Sequence, residues 1–270
     1  MDARCKHEDK YCEILMSPLR VCANYLPKMG GKTGVDLGAF IQDYEADPLY
    51  HWIGFDSPLM FAAHKAAGGM TSLYRQLGIG TERLFRTILM DSFGLTEEEA
   101  NWEYAYTKTD DATATRYLDG RLDVALIEKA GKRDSAFVTE WLRSVSKKLG
   151  IDIPLKGAVF EVREGYKSAD SKRQNADLEN LANAMKSCYL MTMALMSMQI
   201  NNNVYRRYKE NGLLVLVGDV SNTNPTESTY AFLNQVADYN LAGFFERNTS
   251  RLRETTTQIL EQLLDQKAQQ

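Results

Sequence analysis

Apolar residues change their period along the chain, and the changes mark its elements. Through residues 1–75 they fall in uneven clusters, "YCEILMSPLRVCANYL" and "FIQDYEADPLYHWIGFDSPLMFAAHKAAGG", punctuated by Pro18, Pro48 and Pro58. That pattern predicts a mostly helical, irregular segment packed on the core that follows. In "GTERLFRTILMDSFGL", Leu84, Phe85, Ile88 and Leu89 share one helical face, with Thr81 as cap and Gly94 as stop. Thr96 and Glu99 have the spacing of a capping box.

From Asn101 the period shortens to two. "NWEYAYTK" and "ATATRYL" alternate, and "RLDVALIE" is a stronger apolar run. Asp119-Gly120 between the last two is the dipeptide of a tight type I′ hairpin, so a meander of about three antiparallel strands is expected. Ser135 to Gly150 then reads as a capped amphipathic helix and "KGAVFEVR" as a strand. Asp177 to about Gln199 reads as one long helix with Leu178, Leu181, Met185, Tyr189 and Leu195 on its face. "GLLVLVGDV" is apolar throughout, as a strand buried on both faces is. "TESTYAFLNQVADYNLAGFFERN" reads as a capped helix, and the tail "TTTQILEQLLDQKAQQ" as an amphipathic docking or dimer helix. The expected fold class is α/β, a mixed central sheet flanked by helices. Residues 1–75 form its helical annex, and residues 76–270 the core with a C-terminal helix.

Composition narrows the class. The 270 residues are 44% hydrophobic and 25% charged, which suits a globular chain. No run of apolar residues is long enough to span a membrane, and the N-terminus lacks a signal-peptide pattern. Four scattered cysteines without a CxxC pair read as reduced thiols in a cytoplasmic protein. His7, His51 and His64 have no metal-site spacing. "MGGKTG" approaches a phosphate loop, but Leu26 stands where the first glycine belongs. The net charge of −4 rules out a uniformly basic coat and leaves room for a local basic face.

Two carboxylates stand out by position. Asp123 opens "DVALI" and Glu161 lies within "AVFEVR". If those strands pair, the two acids converge, and with a backbone carbonyl they offer hard oxygen ligands for Mg²⁺. Such an ion polarises a phosphoryl oxygen and acidifies a bound water. Arg163 follows at once, with Lys167 and Lys172 beyond, as cations for charge developing on a phosphate. Asp177, at the expected start of the long helix, is a further acid or simply a partner of the helix dipole.

This order of elements, with an acid in the meander and Glu-x-basic on the next strand, resembles the PD-(D/E)xK nuclease superfamily. "RLDVALIE" followed by "FEVREGYKSADSKRQNADL" is similar to type II restriction endonucleases, over roughly residues 80–245. The resemblance implies Mg²⁺ bound by Asp123 and Glu161, with residue 163 in the place of the family's lysine. That residue is arginine here, and Leu122 stands where the family often has proline. Arginine stays charged and is a poor proton acceptor, so charge stabilisation, or Lys167 or Lys172, would carry that role. The layout Arg163, Lys167, Ser168, Asp170, Lys172, Arg173, Asp177 also resembles enzymes that read a CCGG core.

Read as residues alone, the run Lys167, Ser168, Asp170, Lys172, Arg173, Gln174, Asn175 holds the side chains that pair with base edges: Arg and Lys with guanine, Asp with cytosine, Asn and Gln with adenine. A solvated polar loop before a helix would have similar composition. Glu103 is a candidate auxiliary acid or an exposed strand residue. Arg206, Arg207 and Lys209 form a second basic cluster, a phosphate clamp or a solvated helix end. The expectation is a Mg²⁺-dependent, sequence-specific endonuclease that cuts double-stranded DNA as a homodimer. The alternatives are a non-catalytic DNA-binding protein on a nuclease scaffold and a structure-selective nuclease.

Overall fold

The structure, a computed structural model, describes residues 3–107, 112–166 and 170–264. In chain order its elements begin with α1 (Ala3–Arg20), α2 (Leu37–Glu45), α3 (Pro48–Trp52), α4 (Pro58–Phe93) and α5 (Glu97–Ala100). There follow β1 (Trp102–Thr107), β2 (Thr113–Leu118), β3 (Gly120–Asp123), α6 (Val124–Ala130), α7 (Ala136–Leu149) and β4 (Gly157–Arg163). The chain continues with α8 (Ser171–Lys186), β5 (Tyr189–Leu195), α9 (Asn202–Glu210), β6 (Leu214–Leu216), α10 (Thr229–Gln235) and α11 (Leu241–Leu264). These divide into two compact units, Met1–Gly80 with Arg247–Gln270, and Thr81–Glu246.

The first unit is helical. The α1 face Tyr11, Leu15 and Leu19 is buried, as are Leu73 on α4 and Ile259 and Leu263 on α11. Gly80 lets α4 approach α1: a Cβ there would lie 2.5 Å from the Leu15 carbonyl oxygen. Ion pairs Arg247–Glu8 and Arg251–Asp9 tie α11 to α1. As far as Leu264, the C-terminal amphipathic stretch thus docks on its own chain, with Ile259 and Leu263 buried; residues 265–270 of that stretch lie outside the described residues.

The second unit is built on a mixed four-stranded sheet of order β3-β4-β5-β6. In it β3 runs antiparallel to β4, and β4, β5 and β6 are parallel. Nearly every position of β4 and β5 is buried, as strands covered on both faces require. One face presents Val159, Met191, Met193, Leu195 and Val215 to Ala184 of α8 and to Val204 and Tyr208 of α9. On the other, Phe160 packs its ring 5.1 Å from Phe85 of α4, 6.3 Å from Trp141 of α7 and 5.3 Å from Phe232 of α10. The mixed sheet flanked by helices is as expected; several of its elements are not.

The expected meander divides. β1 and β2 form a separate two-stranded ribbon, while β3 joins the central sheet. Asp119-Gly120 makes no type I′ hairpin, because neither residue has positive φ and the strands beside it have different partners. "VALI" is not a strand but the start of α6, capped by Asp123 and closed by Gly131 at φ 64°. A short apolar run does not by itself distinguish strand from helix. The long helix expected from Asp177 to Gln199 is α8 followed by β5. Helix-favouring Leu and Met in "YLMTMAL" yield to pairing alongside β4, and Cys188 makes the turn at φ 61°. The last expected helix is likewise two, separated where Asp238 takes φ 56°. Among the described residues no helix is long and apolar enough to cross a membrane.

Candidate functional site

The register of β3 and β4 decides which acids meet. Gly120 lies opposite Phe160 and Asp123 opposite Gly157. Asp123 is therefore four residues along β4 from Glu161, roughly 13 Å at about 3.3 Å per residue. Its Oδ1 accepts from the Leu126 backbone N–H at 3.1 Å and its Oδ2 from the Tyr189 hydroxyl at 2.5 Å. Asp123 is a helix cap, and the structure does not bring it to Glu161 to share a cation.

Asp119 takes the place expected of Asp123. Its backbone N–H donates to the Phe160 carbonyl at 2.8 Å, and its Oδ2 accepts from the Val162 N–H at 2.8 Å. It thereby stands across from Glu161. Both carboxyls are pushed up to about 7, first by burial. The second cause for Asp119 is the charge of Glu82 on α4, and for Glu161 the charge of Asp119. Glu82 is itself raised, by burial and then by Glu161. Three acids on α4, the β2–β3 junction and β4 thus crowd one poorly solvated spot.

Arg163 faces the same side of the sheet as Glu161, and its side chain is 5% exposed. Its Nη2 donates to Glu161 Oε1 at 2.9 Å and to Asp177 Oδ1 at 2.6 Å. The Tyr166 ring lies 4.7 Å from the guanidinium. Asp177 Oδ2 also accepts from the hydroxyls of Tyr166, at 3.2 Å, and Tyr208, at 2.5 Å. Asp177 sits in the second turn of α8, not at its N-terminus, and is 1% exposed. Its carboxylate is consumed in fastening α8 and α9 to β4. Arg163 Nε and Nη1 are buried and have no hydrogen-bond partner among the described residues.

Of the expected base readers, Lys167 and Ser168 lie outside the described residues. Asp170 caps α8 through the Lys172 N–H at 2.9 Å. Lys172 and Arg173 are exposed on the first turn, with Arg173 over the Tyr166 ring at 5.7 Å. Gln174 is buried and Asn175 exposed, and Arg207 of α9 joins them: Nη1 donates to Gln174 Oε1 at 2.9 Å and Nη2 to Asn175 Oδ1 at 2.7 Å. Glu103 is exposed on β1.

Among the described residues no group of three or more His, Cys, Asp or Glu side chains is placed to hold a metal ion. Asp119 and Glu161 nonetheless suit Mg²⁺ as a pair. This ion keeps several waters and takes one or two carboxylates with substrate phosphate oxygens. Asp119 Oδ1 and Glu161 Oε2 have no hydrogen bond among the described residues, and a cation would offset the neighbouring acid charge that, after burial, raises each group.

Asp119 was concealed in the sequence by its glycine neighbour, which marks a turn. Nothing in the sequence singles out Glu82. Comparison with protein-family models, with curated proteins and with solved structures finds no match.

Proposed function

We propose that the chain is a Mg²⁺-dependent endonuclease acting on double-stranded DNA, with Asp119 and Glu161 as its metal-binding carboxylates. The observation that carries this reading is the meeting of those two acids across β3 and β4, beside the buried Arg163. When bound there, Mg²⁺ would polarise a phosphoryl oxygen and acidify a water. Arg163 holds Glu161 in place and has two donor nitrogens unmet among the described residues, which suits a phosphate oxygen brought into the site. It cannot accept the proton of an attacking water. Lys172, Arg173, Arg206 and Arg207 on α8 and α9 supply the basic surface that a phosphodiester backbone requires. A two-fold homodimer suits this reading, since it would match a palindromic site.

The test is incubation of the purified chain with phage DNA and Mg²⁺. Discrete fragments that vanish on chelation, and that Asp119→Asn does not produce, support the reading. DNA left intact under all divalent ions tried overturns it. A second reading, a non-catalytic DNA-binding protein on the same scaffold, is favoured by one observation: Arg163 already spends its charge on Glu161 and Asp177. It predicts salt-dependent binding to duplex DNA without products.

A further inference from the structure

A guanidinium carries donors and no acceptor. Both amides that meet Arg207 must therefore turn their oxygens toward it and their –NH₂ groups away. The orientation of an Asn or Gln amide is usually ambiguous; here chemistry fixes it. Gln174 is 6% exposed and anchors one arm of Arg207, while Asn175 is exposed and holds the other. Arg207 is thus pinned by two neutral oxygens and keeps its charge. Asn175 and the free edge of Arg207 offer hydrogen-bond donors to whatever approaches the start of α8. Lys172, Arg173 and Arg206, all exposed, add donors of the same sign.

In the major groove the base edge that offers two acceptors side by side is guanine, through N7 and O6. Adenine pairs with an amide by giving its N6–H to the amide oxygen; at Asn175 that oxygen already accepts from Arg207, which turns it toward the guanidinium and leaves it a single lone pair. We propose that Asn175 and Arg207 form a reading face dominated by donors that selects guanine in double-stranded DNA. Arg207 acts in part by positioning Asn175, and Gln174 by positioning Arg207. The inference rests on the endonuclease reading and adds a base preference to it.

The experiment selects bound duplexes from a random-sequence pool, with Ca²⁺ in place of Mg²⁺. Ca²⁺ takes oxygen ligands in a looser geometry, so binding is read apart from cleavage. The expected result is enrichment of sites with an invariant G·C pair. Replacing that guanine by 7-deazaguanine, which lacks the N7 acceptor, should weaken binding about 5- to 150-fold, the range for one bidentate base contact. Arg207→Lys keeps the charge and loses the fork, so it should bind DNA and accept A·T at that pair. Asn175→Ala changes an exposed residue, should leave the circular dichroism spectrum unchanged, and should show the same relaxed preference. Enriched sites without a fixed guanine, indifference to 7-deazaguanine, or full discrimination by Arg207→Lys would overturn the proposal and leave the nuclease reading standing. Failure of any duplex to bind would overturn both.

Discussion

Asp119 stands across from Glu161, one step beyond the Gly120–Phe160 pair, and the Val162 N–H holds it there at 2.8 Å. Two carboxylates placed this way repel each other unless a proton or a cation intervenes. Asp119→Asn and Glu161→Gln should each lower DNA cleavage by more than about 100-fold, since even outer partners of a metal site are worth about 10- to 100-fold. Asp119→Asn should not lower the melting temperature, because it removes a repulsion, whereas Glu161→Gln also takes a charge partner from the buried Arg163 and should lower it. Cleavage rates on a single-site duplex, with a thermal melt of each variant, check both halves; parental cutting by either variant removes that residue from the site.

Asp123 gives the contrasting case. It caps α6 and accepts from Tyr189, away from Glu161. Asp123→Ala should cost about 1 kcal/mol, the usual loss for an N-cap. That corresponds to a fall of about 2–4 °C in a chain of this size. Its cleavage rate, measured below that lowered melting point, should equal the parent's. A loss as large as that of Asp119→Asn would restore Asp123 as the first acid.

One part of this geometry is legible in the sequence. Glu161 and Arg163 share a strand whose apolar run is unmistakable, and their spacing put both on one face. The partner acid was harder, because Asp119-Gly120 carries a turn signature and Asp123 opens an apolar run that suits strand or helix equally. Only the pairing of β3 with β4 separates the two, and pairing register is not written in either segment alone. Asp177 was misplaced for a similar reason: the polar run before it already belongs to α8, so the acid falls in the second turn and faces Arg163. Gln174 and Asn175 are distant in sequence from Arg207, and their union with it depends on α8 and α9 sharing one face of the sheet.

Arg163 and Asp177 are a buried pair, with side chains 5% and 2% exposed. Removing one partner of such a pair leaves a charge without compensation, typically at about 3–5 kcal/mol. Arg163→Ala should therefore destabilise the chain by that amount in urea unfolding. Tyr208→Phe, which leaves Asp177 its bonds to Arg163 and Tyr166, should cost about 1–2 kcal/mol. Equal costs for the two would mean that Arg163 does not bear the charge of Asp177.

Gly157 links fold to site. A Cβ there would lie 1.9 Å from the Leu122 carbonyl oxygen, a backbone atom that cannot swing aside. Gly157→Ala should push β3 away from β4 and carry Asp119 with it. The expected result is a loss of thermal stability together with a drop in cleavage, although residue 157 lies at the Asp123 end of the strand pair. Unchanged stability would show that β3 tolerates displacement.

The raised carboxyls set a pH dependence whose sign is fixed. Asp119 and Glu161 titrate near 7 in the folded chain, against ordinary values of 3.8 and 4.5. Between those limits the folded chain holds protons that the unfolded chain has released. Their stabilising contribution is complete below about 4 and is lost as pH rises through 7. The melting temperature of Asp119→Asn should therefore match the parent's most closely at pH 5 and exceed it increasingly toward pH 8. Mg²⁺ at pH 8 should raise the parent's melting temperature, because it replaces the lost proton, and should raise the variant's less. A difference that stays flat from pH 5 to 8, or an equal response to Mg²⁺, would mean that the two acids do not share one electrostatic site.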